Sequence, residues 1–200
     1  MPKTTSSPER LETFLHEHGG FVRLEDLRQQ GIDRRHLYAL AEEGLVERVG
    51  QGLYRATDRM ADDLAEAAVA VPQGVICLVS ALDYHELTDE RPMKVQMAIE
   101  NKRWAPRVIS PPVEIHNFSG EAFSAGIEEV QIDGVPVRVY NVEKTLADCL
   151  KYRHKLAPGV PQAALRDYVR RYKQPIDHLL HYARICRVEP LLRRYMEVLQ

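Results

Sequence analysis

Cysteine, tryptophan and long apolar runs are scarce in this chain of 200 residues, which holds three Cys, one Trp and four Phe. Cys77, Cys149 and Cys186 are odd in number and widely separated. They form neither a disulfide framework nor a metal-ligand pair, so a reducing cytoplasm is the expected compartment. No apolar stretch approaches the ~20 residues that span a bilayer, which excludes a membrane partner of that kind. The opening Met-Pro-Lys-Thr-Thr-Ser-Ser has no hydrophobic segment of a signal peptide. A Walker-type phosphate loop, Gly-x-Gly-x-x-Gly and Gly-x-Ser-x-Gly are all missing. His16 with His18, and His178 with His181, lack carboxylate or cysteine neighbours at metal-binding spacing. No metal, no cofactor and no catalytic constellation is therefore expected. Internal repeats and low-complexity segments are absent as well.

What is present begins with a compact pattern over residues 9–56. Ser7 and Pro8 suit a helix N-cap and first turn, Leu11, Phe14 and Leu15 give one apolar face, and Gly19-Gly20 stops the helix. A second helix is predicted over Arg23 to Gln30, ended by Gly31. Asp33 caps a third, whose Leu37, Leu40 and Ala41 fall at i, i+3 and i+4 and face inward, with Gly44 beyond its end. A tight hairpin follows, Leu45-Val-Glu-Arg-Val-Gly-Gln-Gly-Leu-Tyr-Arg55. Three short helices and a hairpin read as a winged helix-turn-helix, here residues 1–58.

The third helix is then the recognition helix. Arg34, Arg35, His36 and Tyr38 lie on or near its outer face. Cations in a first turn oppose the helix dipole by roughly 0.3–1 kcal/mol, so two arginines there call for phosphates or guanine edges as partners. Arg48, Arg55 and the tip residue Gln51 of the hairpin complete a candidate double-stranded DNA interface. A solvated arginine face and a protein-docking role are the alternatives. Residues 28–59 hold six arginines against five carboxylates. Such a weak net charge favours two copies acting on a repeated site.

The remainder, residues 59–200, reads as a second domain. A connecting helix is predicted over Asp62 to Val71, then an apolar run from Gly74 to Val79, with Ser80 capping a helix over Ala81 to Leu87. Strands follow at Lys94 to Ile99, Val113 to Phe118, Glu128 to Ile132 and Val135 to Tyr140, the last two joined by an Asp133-Gly134 turn of the I′ type. Helices are expected over 142–153, 161–173, 175–187 and 189–199. The fold class is α+β: a winged helix-turn-helix, then a mostly antiparallel sheet with a C-terminal helical bundle. Charge is unevenly divided. Residues 141–200 carry 12 Lys and Arg against 6 Asp and Glu, while residues 1–140 carry 15 against 23.

The phrases Gly20-Phe-Val-Arg-Leu-Glu-Asp-Leu, Gly31-Ile-Asp-Arg-Arg-His-Leu-Tyr-Ala-Leu and Gly44-Leu-Val-Glu-Arg-Val-Gly-Gln-Gly-Leu-Tyr resemble the winged domain of AbiEi-type antitoxins. Val79-Ser-Ala-Leu, Lys94-Val-Gln-Met-Ala-Ile, Val137-Arg-Val-Tyr and Glu143-Lys-Thr-Leu-Ala-Asp-Cys-Leu follow in the matching order. The resemblance runs from about residue 9 to 199. It implies a transcriptional autorepressor that binds inverted repeats in its own promoter. It also implies a C-terminal domain that acts as the antitoxin of a type IV, abortive-infection system against a nucleotidyltransferase-type toxin. No antitoxic residue follows from the resemblance. The basic helices, with Lys151, Arg153, Lys155, Arg166, Arg170 and Arg171, are the surface chosen for that role or for a longer DNA footprint.

Two further readings stay open. The basic C-terminal domain could dock an acidic protein partner while the winged domain only supports it. Alternatively, Glu100 and Lys102 have the Glu-x-Lys spacing of metal-dependent nucleases, with Glu86, Asp89 and Glu90 as further carboxylates and Lys102 to Arg107 as a basic loop. Glu143-Lys144-Thr145 reads as structural: Asn141 caps the helix, Asp148 pairs with Lys144 at i, i+4, and Leu146, Cys149 and Leu150 face the core.

Overall fold

The computed structural model describes residues 7–103, 108–172 and 176–199. The chain divides into two compact units, one of Met1–Pro72 with Pro106–Pro112 and Gln131–Val137, the other of Gln73–Ala105, Val113–Val130 and Arg138–Gln200.

In the first unit, α1 (Ser7–Glu17), α2 (Leu24–Gln29) and α3 (Arg34–Glu42) precede the hairpin β2 (Val46–Gly50) and β3 (Leu53–Ala56). Leu11, Phe14, Leu15, Leu27 and Leu37 are buried together with Val22, Ile32 and Val46, so the apolar periodicity of the helices meets the inner face of the hairpin. A short strand β1 (Phe21–Arg23) pairs antiparallel with β3, giving the sheet order β1-β3-β2. Its three residues are too few to show a period of two, and only the pairing with Leu53 to Arg55 defines them.

Helix α4 (Asp63–Ala70), capped by Asp62, belongs to this unit and is tied to it by charge. Its Glu66 is 1% exposed and meets the Arg55 guanidinium of β3, which also reaches Glu47 on β2. A lone buried carboxylate is strongly disfavoured, so Arg55 is what allows Glu66 to lie there. Arg23 adds a hydrogen bond to the Val69 carbonyl.

The second unit holds β4 (Val75–Ile76), α5 (Leu78–Tyr84), β5 (Val95–Glu100), β6 (Val113–Phe118), α6 (Glu121–Ser124), the start of β7 (Ile127–Ile132), the end of β8 (Val135–Tyr140) and helices α7 (Val142–Lys151), α8 (Val160–Arg171), α9 (Ile176–Ile185) and α10 (Glu189–Leu199). The five strands run β6-β5-β4-β8-β7 and the sheet is mixed: β4 is antiparallel to β5 but parallel to β8, and β5 is parallel to β6. The connection from residue 101 to 112 is long enough to cross over instead of turning back, which parallel pairing requires. Asp133 and Gly134 both have positive φ, 52° and 79°, as a I′ turn demands.

Ser80 is not a cap. Helix α5 begins three residues earlier, at Leu78, because Gln96 of the neighbouring strand does the capping: its Oε1 accepts the Val79 N–H at 2.9 Å, and its own N–H donates to Ser80 Oγ. The cap comes from a residue distant in sequence, which local pattern cannot reveal. Elsewhere the expected helix ends hold within a residue or two. Asn141 caps α7, its Oδ1 accepting the Lys144 N–H. Pro175, expected to start α9, lies outside the described residues.

Helix α7 is the centre of the second unit and contacts α5, α8, α9 and α10. Every residue from Lys144 to Leu150 is buried. Lys144 (0% exposed) donates to Asp148 (1%), lies 4.0 Å from the Tyr140 ring centroid and 5.0 Å from that of Phe118, and Asp148 also accepts from the Cys186 thiol. Burial raises the Asp148 carboxyl above its usual range, with the Lys144 charge pulling the other way. Gly126 has φ +74°, and a Cβ there would stand 2.8 Å from the Lys144 Cβ, so this lysine is walled in on that side.

Two stability predictions follow from these buried charges. Lys144→Met leaves Asp148 unpaired and should cost about 3–5 kcal/mol in urea unfolding, with Lys144→Met/Asp148→Leu recovering most of it. Arg55→Met should destabilise the winged unit by a similar amount of about 3–5 kcal/mol through Glu66, and Glu66→Gln in the same chain should restore part of the loss.

Candidate nucleic-acid interface

Asp33 starts α3 by accepting the Arg35 N–H at 2.9 Å, and the same carboxylate takes the Arg35 guanidinium through Nε and Nη2 at 2.8 and 2.6 Å. These bonds from Arg35 hold the Asp33 carboxyl down at about 2. The pair therefore stays charged at neutral pH and loosens only as pH falls through that value. The Arg35 side chain is 86% exposed. An exposed pair of this kind contributes little net energy, so a phosphate can compete for the guanidinium. Arg34 is also exposed and makes no ion pair among the described residues. His36 is half-buried, and Tyr38, 38% exposed, lies with its ring 6.5 Å from that of Tyr54 on β3. Leu37 is fully buried beneath them.

The hairpin is less free than its sequence suggests. Arg48 is exposed but folds back to the Gly50 carbonyl at 3.0 Å, beside a bulge between Arg48 and Gly50. Gln51 is exposed at the tip, while Gly52, at φ +67°, accepts the Leu24 N–H and lies against that side chain. Arg55 is enclosed by Glu47 and Glu66, as described above, and is occupied within the module. The outer edge of β2 is covered too. Ile109 and Ser110 donate to the Val49 carbonyl at 3.2 and 3.1 Å, and Val108 pairs with Gly50.

Arg34, Arg35, His36 and Tyr38 thus share the first turns of α3, with Arg48 and Gln51 on the adjoining hairpin. Tyr54 and the segment 108–110 were not foreseen. A Tyr two residues from the turn carries no distinctive pattern, and an edge covered by residues some sixty positions away leaves no local trace.

The basic residues of the second unit are separated. Arg170 and Arg171 both reach Asp167 on α8, and Arg171 also donates to the Glu86 carbonyl. Arg166 is exposed, and the Lys155 ammonium lies 5.5 Å from the Tyr152 ring centroid. Lys151 and Arg153 instead line a cleft with Arg184 and Arg187, two residues outside the expected set. Arg184 and Arg187 flank the end of a helix, and their convergence with the end of α7 depends on how α7 and α9 pack.

Glu100 pairs with Arg103 at 3.5 Å, and among the described residues no three His, Cys, Asp or Glu side chains stand close enough to hold an ion. The loop residues Trp104 to Arg107 lie outside the described residues. His85, a half-buried helix end, has Nε2 2.7 Å from the Tyr140 carbonyl, a structural contact. No helix among the described residues is long and apolar enough to cross a membrane.

No curated protein matches this sequence. A solved structure that does match, the RV2827C protein from Mycobacterium tuberculosis, has a TM-score of 0.61 at 14% identity and covers 91% of this chain and 72% of its own. At that identity the likeness concerns the fold. It extends over both units, so the α+β arrangement has a counterpart in an experimental structure. Residues 9–57, which run from the first turn of α1 through β3 and include the whole candidate interface, match the family model described as "Transcriptional regulator, AbiEi antitoxin". Over those residues the winged module of this chain is similar to the AbiEi antitoxin transcriptional regulator family.

Proposed function

We propose that the chain is a sequence-specific DNA-binding autorepressor and the antitoxin of a type IV system whose toxin is a nucleotidyltransferase. The observation that carries the DNA reading is the first turn of α3, where two arginines sit exposed against the dipole beside Tyr38. In this reading Arg34 and Arg35 reach phosphate or guanine edges in the major groove, and Arg48 and Gln51 meet the backbone at the flank. Arg55 acts by holding the hairpin on α4. Inverted repeats in the chain's own promoter would seat two copies, which offsets the modest charge of one module. The antitoxic surface is assigned to the second unit, with Lys151, Arg153, Lys155 and Arg166 as its available cations and Arg170 and Arg171 restrained by Asp167.

Docking of an acidic protein partner by that surface is the competing reading. Phosphate contacts impose a salt slope of about −0.9 per neutralised charge, which separates the two. Fluorescence-anisotropy titration on upstream and scrambled duplexes at two salt concentrations should show selective, salt-dependent binding. Equal weak binding to both duplexes would reject the repressor.

Two variants sharpen this. Arg34→Ala should weaken binding and make the salt slope shallower by about 1 if the contact is to phosphate, or cost about 1–3 kcal/mol of specificity at one base pair if it is to an edge. Asp33→Asn keeps the cap, because Asn serves there as well as Asp, but releases Arg35 and removes a negative charge. It should bind cognate DNA more tightly than the unaltered chain, with little change in thermal stability. An affinity unchanged or weaker in that variant would remove Arg35 from the interface.

A further inference from the structure

Helix α9 ends in a way that local stability does not explain. The Val188 N–H donates to the Ala183 carbonyl at 2.8 Å and the Arg187 N–H to the Arg184 carbonyl at 3.0 Å. This is the paired-bond ending in which the residue after the cap turns left-handed, a place where glycine is strongly preferred. Here it is Arg187, at φ +61°. A side chain with a Cβ is strained in that region, so glycine would close the turn more comfortably. The bonds that end the helix come from the backbone and do not need a guanidinium.

Arg187 lines a cleft of about 810 Å³ with Lys151 at the end of α7, Arg153 just beyond it, Arg184 of α9, and Ser119 and Glu121. Four cations stand against one carboxylate. Lys151 and Arg184 each sit in the last turn of a helix, where a cation is favourable anyway. Arg184 is paired with Glu189, and Arg153 donates to the Leu150 carbonyl. Lys151 and Arg187 are exposed and make no ion pair among the described residues. They are the groups ready to take an anion. The size suits a nucleotide-scale ligand, since such sites run roughly 300–1,000 Å³, and the lining offers charge instead of an aromatic platform.

The geometry points to a phosphate-binding cleft in the second unit, in which Arg187 and Lys151 grip the phosphate groups of a nucleotide or of a single nucleic-acid strand. The strain at Arg187 is retained because a guanidinium in that position can make two parallel bonds to phosphate oxygens. This proposal does not depend on duplex binding by the winged module, which uses other residues.

The test is isothermal titration calorimetry of the full chain with pyrophosphate, a nucleoside triphosphate and a ten-nucleotide single strand. The unaltered chain, Arg187→Gly and Lys151→Gln are compared, with thermal melts of each. Arg187→Gly should melt at a higher temperature than the unaltered chain yet bind the phosphate probe at least about tenfold more weakly, and Lys151→Gln should also weaken it. Binding of pyrophosphate and the triphosphate would identify a free nucleotide as the source of the phosphate. Binding of the oligonucleotide alone, lost in Arg187→Gly, would identify a strand. Absence of binding by all three probes, or binding that neither substitution weakens, overturns the proposal.

Discussion

The second unit is organised around a charged pair taken entirely out of water. Lys144 and Asp148 lie one turn apart on α7, both within 1% of full burial, and the helix that carries them is surrounded by α5, α8, α9 and α10. Desolvating two charges is expensive, and the geometry compensates with a direct bond, the Tyr140 and Phe118 rings over the ammonium, and the Cys186 thiol on the second carboxylate oxygen. Each of these partners comes from a different element. The pair itself is local to α7, but its surroundings are complete only with β6, β8 and the end of α9 in place.

A related arrangement governs the winged unit. Arg55 looks like a wing arginine available to nucleic acid, but its charge is matched by Glu66 on α4 and Glu47 on β2. The cost of burying Glu66 decides the matter: an exposed phosphate contact is worth less than the pairing of a buried carboxylate. On the first turn of α3, Arg34 makes no ion pair among the described residues and Arg35 shares its charge with the capping Asp33. One carboxylate thus both starts α3 and restrains the cation beside it.

Much of this was legible in the residues. The order of three helices and a hairpin, the Asp33 and Asn141 caps, the Asp133-Gly134 turn, the strands at Val113 to Phe118 and Val135 to Tyr140, and the pairing of Lys144 with Asp148 all rest on interactions spanning a few positions. The misses share one cause. The three-residue strand β1, the Gln96 cap on α5, the parallel pairings within the sheet and the segment 108–110 along β2 each depend on a partner at least sixteen positions away. The grouping of Arg187 with Lys151 was hidden for the same reason, and the role of Arg55 because Glu66 meets it only through the packing of α4 on the hairpin.

The sequence by itself determined which elements form and which family the winged module resembles, because helix periods, caps and turn chemistry are local. It also determined that α3 would present Arg34 and Arg35, since the spacing of Leu37, Leu40 and Ala41 leaves those positions on the opposite face. The tertiary structure alone decided which charges remain available to a ligand. An arginine is free or occupied according to the carboxylate that packing brings beside it, and burial sets how strongly that carboxylate holds it.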